Sequence, residues 1–200
     1  TGLFLEKSSE RLRLALPSPS LEEYNDMMKR AQSECLRYGV TSLSTAGETL
    51  EKIQMLRQFQ NSKELKMRID VWLSATKENT STFSRPIKEG LINITSIKLY
   101  VDGALGSRGA WMIESYSDDS GNRGIKVADD AEYRWYLNWA YDHGFQAATH
   151  CIGDAANRYA LREYAKILEG NNDRRWRIEH SQVIAPSDFE YFRKYNIIPS

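Results

Sequence analysis

The chain has 200 residues, 41% hydrophobic and 27% charged, and its 27 basic side chains are balanced by 27 acidic ones. That length and composition suit one globular domain or most of one. The charge balance leaves no basic field to draw nucleic acid or anionic lipid, and no apolar run approaches the roughly 18 residues that span a bilayer.

Ser20-Leu21-Glu22-Glu23 reads as a capping box that opens a helix to about Tyr38, with Gly39 ending it. Val40 to Thr45 is β-branched and reads as a strand closed by Ala46-Gly47. A helical pattern follows over Thr49–Phe59 and a strand over Lys66–Leu73, while polar Lys77–Gly90 with Pro86 reads as a loop or short insertion. Ile94–Val101 is the next strand, and the glycine-punctuated stretch Asp102–Gly109 leads away from it. Asp129–Asp142 reads as a helix ended by His143-Gly144, its aromatics Tyr133, Trp135, Tyr136 and Trp139 serving packing. After it come a strand to His150, a helix from Asp154, a strand Trp176–His180, a helix Ser187–Lys194 and a last strand from Ile197.

Helix and strand alternate throughout, with connections suited to parallel crossovers. The class is α/β, either doubly wound or a (β/α)8 barrel. A closed barrel takes about 250 residues, so five strands and the start of a sixth predict a partial one. Both termini read as the interior of a longer chain: Thr1–Lys7 lacks a signal peptide's apolar core, and Tyr195–Ser200 begins a strand pattern. Cys35 and Cys151 stand far apart in no Cys-x-x-Cys pattern, which fits buried thiols in a reducing, cytoplasmic compartment.

Strand alternation puts Ile97, Leu99 and Val101 on one face and Ser96, Lys98 and Tyr100 on the other. Lys98 then points inward, where an unpaired ammonium is costly. It is either paired to a carboxylate such as Asp102, of the same parity, or functional. His150 and His180 end the next two strands. His150 shares parity with Gln146 and Ala148; His180 shares it with Trp176 and Ile178. In parallel α/β folds ligands bind at the C-terminal strand ends, so these three residues form the candidate cluster. His143, before Gly144, suits a helix C-terminal cap.

Three blocks carry a resemblance. They are Ser96-Ile-Lys-Leu-Tyr-Val-Asp-Gly-Ala-Leu-Gly-Ser-Arg-Gly109, Thr149-His-Cys-Ile-Gly-Asp-Ala-Ala-Asn157 and Arg175-Trp-Arg-Ile-Glu-His-Ser-Gln182. In order and spacing they resemble the amidohydrolase superfamily, in the branch that includes N-substituted formamide deformylase-like enzymes. Thr1-Gly2-Leu3 and Tyr116-Ser117-Asp118 are similar to that branch too. The resemblance implies a (β/α)8 barrel with one or two divalent metals, zinc first among them, at its mouth. It implies Lys98 as the strand-four lysine, carboxylated by CO2 and bridging metals, with His150 and His180 as ligands from strands five and six. The chemistry implied is attack of a metal-activated hydroxide on an amide-type carbon–nitrogen bond of a small molecule.

The family's first strand carries a His-x-His pair and its eighth an acid–base Asp. The chain's three histidines form no such pair, and the Asp is expected beyond its C-terminus. The segment is accordingly read as the family's second strand to the start of its seventh, inactive by itself. Asp102 and Arg108, on the loop after the lysine strand, either touch substrate or brace the loop. Gln182 is placed to orient a ligand from behind. Asp154 reads as a helix cap, and Glu179 with Arg177 as an ion pair on the helix-facing side. Two other readings stay open: a folded, non-catalytic fragment or degenerate homologue, and an aldolase-like barrel with Lys98 as a Schiff-base amine. A partial barrel with open edges predicts self-association or dimerisation.

Overall fold

A computed structural model describes Leu12 and residues 15–200; the Thr1-Gly2-Leu3 segment lies outside the described residues. The elements are α1 (Leu21–Arg37), β1 (Ser42–Glu48), α2 (Leu50–Asn61), β2 (Arg68–Ser74), α3 (Lys77–Thr82), β3 (Ile87–Glu89) and β4 (Ile92–Tyr100). Then come α4 (Asp130–His143), β5 (Gln146–Cys151), α5 (Asp154–Ala165), β6 (Arg177–His180), a 3-10 turn (Pro186–Asp188), α6 (Phe189–Lys194) and β7 (Ile198–Pro199). The strands form one seven-stranded sheet in the order β1-β2-β4-β5-β6-β7, with β3 paired to β4 off that path. β1–β2, β5–β6 and β6–β7 are parallel. Each strand on the path lies beside its sequence neighbour with no reversal point. That is the order of successive units in a β/α barrel rather than of a doubly wound sheet, which changes direction at a switch point.

Two compact units divide the described chain, Leu16–Ile97 and Lys98–Ser200, and β4 runs through the boundary. In the first, the Ser20 hydroxyl accepts from Glu23 N at 3.2 Å while Ser20 N donates to the Glu23 carboxylate at 2.8 Å. This completes the capping box. Gly39 at φ 77° closes the helix with Val40 N on Cys35 O and its own N on Leu36 O. The core of this unit joins Ile53, Leu56 and Phe59 of α2 to Ile69, Val71 and Leu73 of β2.

The segment expected to be a loop is instead a short helix and a hairpin. Thr76 caps α3 by accepting from Asn79 N at 3.2 Å, and the buried Asn79 amide donates to Glu48 O and Ser74 O at 3.0 Å each. β3 then pairs antiparallel with β4, Glu89 opposite Ile92, across a turn in which Gly90 takes φ 61°. A six-residue polar helix has too few turns to show a periodicity, and it is tied down by the Thr76 cap and the Asn79 amide.

In the second unit, Asp129 caps α4 through Ala131 N and Glu132 N, and Gly144 at φ 76° ends it. Tyr133, Tyr136 and Trp139 are buried while Trp135 is half exposed, so the aromatic row is packing. His143 Nδ1 lies 2.8 Å from Trp139 O and its ring stacks on Trp139, which leaves it at the helix end as expected. The helix side of β5 is marked by buried hydroxyls: Thr149 Oγ1 lies 3.1 Å from Tyr133 Oη and 2.7 Å from Tyr164 Oη. His150, of opposite parity, therefore faces away from the helices.

Candidate metal centre

Lys98, His150 and His180 all belong to the second unit. Lys98 is 4% exposed near the end of β4, and its Nζ stands 4.9 Å from the centre of the Tyr100 ring. That ring lies 5.5 Å from His150, and His150 lies 4.7 Å from His180 in an edge-to-face arrangement. The backbone joins the two strands directly, Val101 N donating to His150 O at 3.0 Å. One continuous set of neighbours thus runs from the lysine through Tyr100 to both imidazoles.

Among the described residues no carboxylate lies within 4.0 Å of Lys98 Nζ, so the Asp102 pairing considered from sequence does not form. Burial lowers the Lys98 pKa to about 8, with the negative charge of Glu179 opposing the drop. Burial likewise lowers His150 to about 4, its contact with the Gly103 carbonyl opposing and the Lys98 charge reinforcing the shift. His180 is lowered for the same reason, burial first and Lys98 second. Both imidazoles are held neutral, the protonation state in which they bind metal.

The faces of β6 are the reverse of those expected. Thr149 sits opposite Ile178, and His150 opposite Glu179. Ile178 therefore shares the helix side and Glu179 the side of His150. Trp176 confirms this, its ring 4.9 Å from Tyr164 and its Nε1 donating to Phe145 O at 3.1 Å. Regular alternation would send His180 to the helix side, but it is the last residue of β6 and its backbone is irregular. His180 takes φ 77° and Ser181 φ 39°, which swings the ring back to His150. Glu179 keeps its expected ion pair with Arg177, whose guanidinium also donates to Ser200 Oγ at 2.5 Å. The pair lies on the site side of the sheet.

The remaining candidates fall elsewhere. Asp102 is 2% exposed and accepts three backbone N–H groups: Trp111 at 2.9 Å, Ile152 at 2.9 Å and Gly153 at 2.8 Å. Arg108 pairs with Asp118 and lies over the Tyr116 ring at 5.2 Å, bracing its own loop. Gln182 is exposed just past His180. Asp154 takes the first helical position of α5 after Gly153 and accepts from Ala155 N and Ile113 N, so it ties a loop as well as a helix end.

Sequence reasoning passed over Asn157. It is fully buried, and its amide donates to Gly153 O at 2.9 Å and Val183 O at 3.0 Å, joining the segments after β5 and β6. The signal was present, since Asn157 interrupts the buried small face of Ala156 and Ala160.

Chemically, two neutral imidazoles and a buried amine suit a divalent ion in kind but fall short in number. Among the described residues no three His, Cys, Asp or Glu side chains are arranged to hold a metal. No helix there is long and apolar enough to cross a membrane.

The comparisons agree with the α/β fold. Over the whole chain, 28% of residues match Protein LONG AFTER FAR-RED 3 of Arabidopsis thaliana, of which the alignment covers 37%. The amidohydrolase homologue YtcJ of Bacillus subtilis (strain 168) is 25% identical over 92% of the chain and 36% of its own length. A crystal structure of an uncharacterized metal-dependent hydrolase from Pyrococcus furiosus superposes with a TM-score of 0.82 at 25% identity, covering 94% of the chain and 40% of that protein. The chain thus spans well under half the length of these relatives. The family model for amidohydrolases (Amidohydro_3) matches residues 1–200, and the chain belongs to the amidohydrolase family.

Proposed function

We propose that this chain supplies the central strands of an amidohydrolase barrel and, with them, the Lys98, His150 and His180 part of a metal centre that cleaves an amide-type carbon–nitrogen bond of a small molecule. The observation that carries the reading is the buried Lys98 amine. It has no carboxylate partner within ion-pair distance among the described residues, and it lies in one set of neighbours with two neutral imidazoles. Strand order supports it. If β1 is the family's second strand, the path β1-β2-β4-β5-β6-β7 puts Lys98 on the fourth, His150 on the fifth and His180 on the sixth.

The lowered pKa leaves Lys98 with a larger fraction of free amine near neutrality than an ordinary lysine has. The amine lone pair attacks CO2 and the nitrogen releases one proton, giving a carbamate with two oxygen donors in place of a buried cation. That raises the donor set to three and leaves a buried anion, whose charge a bound divalent ion would neutralise. A divalent ion bound there, zinc being the first to test, would polarise a substrate carbonyl and lower the pKa of water. His150 and His180 would hold the ion, and Asn157 and Asp102 would hold the strand ends that carry them.

Elemental analysis of protein purified from metal-supplemented medium tests the reading. The expected result is close to one zinc or similar ion per chain, lost in both Lys98→Ala and His150→Ala. Wild-type protein without metal would refute a self-sufficient site in this segment. The lowered Lys98 would equally suit a Schiff-base amine, and borohydride trapping with a carbonyl compound, expected to leave Lys98 unmodified, separates the two.

A further inference from the structure

Asp102 follows β4 directly, and its carboxylate is used from two sides. Oδ2 accepts from Trp111 N and Gly153 N, and Oδ1 accepts from Ile152 N. The residue after it, Gly103, turns its carbonyl to His150 Nε2 at 3.3 Å, and Asp102 Oδ1 stands 3.6 Å from the same nitrogen. Both oxygens are acceptors there, since a carbonyl has no proton and the carboxylate is already turned to three N–H donors. A neutral imidazole has a single N–H, which must therefore lie on Nε2. The loops are pressed together at this point, because a Cβ on Gly153 would stand 2.0 Å from Trp111 O.

We propose that Asp102 and the Gly103 carbonyl act together as a positioning pair that fixes His150 as its Nε2–H tautomer and leaves Nδ1 as the free donor that would bind metal. The inference rests on the metal-centre reading above for its last step only; the tautomer itself is a property of the metal-free chain. Asp102 then acts through His150 and the loop backbone, and its burial removes it from contact with substrate. Metal-ligating histidines commonly donate their second nitrogen to a carboxylate or carbonyl, and loss of that partner weakens metal binding about 10- to 100-fold.

The test is long-range 1H–15N correlation NMR on the metal-free protein at alkaline pH. The three histidines would be assigned with His143→Gln and His180→Gln. His150 is expected to show a protonated Nε2 and an unprotonated Nδ1 in the wild type, and in Asp102→Asn a mixture of tautomers or the Nδ1–H form. A wild-type His150 in the Nδ1–H form or in a mixture overturns the proposal without any variant, so a poorly folding Asp102→Asn does not shelter it. So does an Asp102→Asn spectrum unchanged at His150. Zinc titration by calorimetry provides the second readout, with affinity expected to fall about 10- to 100-fold in Asp102→Asn. A wild type with the expected tautomer that binds no zinc leaves the positioning pair standing and refutes the metal-centre reading instead.

Discussion

A single buried amine sets the electrostatics of the candidate site. Burial takes Lys98 from 10.5 to about 8 in the folded chain, while an unfolded lysine stays near 10.4. Between those values the unfolded chain binds more protons, so stability of the metal-free protein rises with pH from about 8 to about 10.5. The cost of the buried charge is fully present below about 8 and gone above the unfolded value. About 2.5 pKa units correspond to a difference on the order of 3 kcal/mol. Urea unfolding at pH about 7 and about 10, in CO2-depleted buffer with chelator, should show this gain in the wild type relative to Lys98→Met. Parallel pH dependences of the two proteins would contradict it. The lysine itself was legible because an alternating strand placed a cation on an inward parity. The position of Glu179 was not, since alternation counted back from His180 assumes a regular strand, and His180, the last residue of β6, takes φ 77°.

Individual elements are stabilised by short-range devices of unequal visibility. The Ser20–Glu23 box and the Gly144 cap are written in adjacent residues and could be read directly. The hairpin of β3 and β4 could not, because its partners and its turn support come from α2: Gln60 Oε1 accepts from Leu91 N at 2.7 Å, and Arg57 pairs with Glu89 at 2.8 Å. Gly153 belongs to the second kind. Its φ of −77° suits any residue, so its need for glycine is purely steric, with Trp111 O 2.0 Å and Trp111 C 2.5 Å from the site of a Cβ. Gly153→Ala should cost about 1–3 kcal/mol, the usual range for overpacking against a fixed backbone. Gly106→Ala, which meets nothing within 4 Å, should stay within about 0.5 kcal/mol of wild type. Equal denaturation midpoints for the two alanine variants would remove the steric account of the loop junction.

At the scale of the whole molecule, strand order resolves what periodicity left open. Alternating helices and strands fit both α/β windings, whereas β1-β2-β4-β5-β6-β7 without a reversal fits the barrel series alone. That order also puts β1 and β7 at the two ends of the sheet path, each paired on one side among the described residues. The β1 end is the more exposed. Over the whole of α1 Gln32 is the single buried residue, and Leu21, Met27, Leu36, Tyr38 and Val40 are exposed on or just after the helix. Unpaired strand edges beside exposed apolar side chains are the features that draw a second chain. We therefore expect the chain to self-associate, with sedimentation velocity showing a dimer whose fraction rises with concentration. Leu36→Lys together with Val40→Lys should shift it toward monomer, because each replaces an exposed apolar side chain near the β1 edge with a charge. A wild type that stays monomeric throughout the series would mean that these surfaces do not pair.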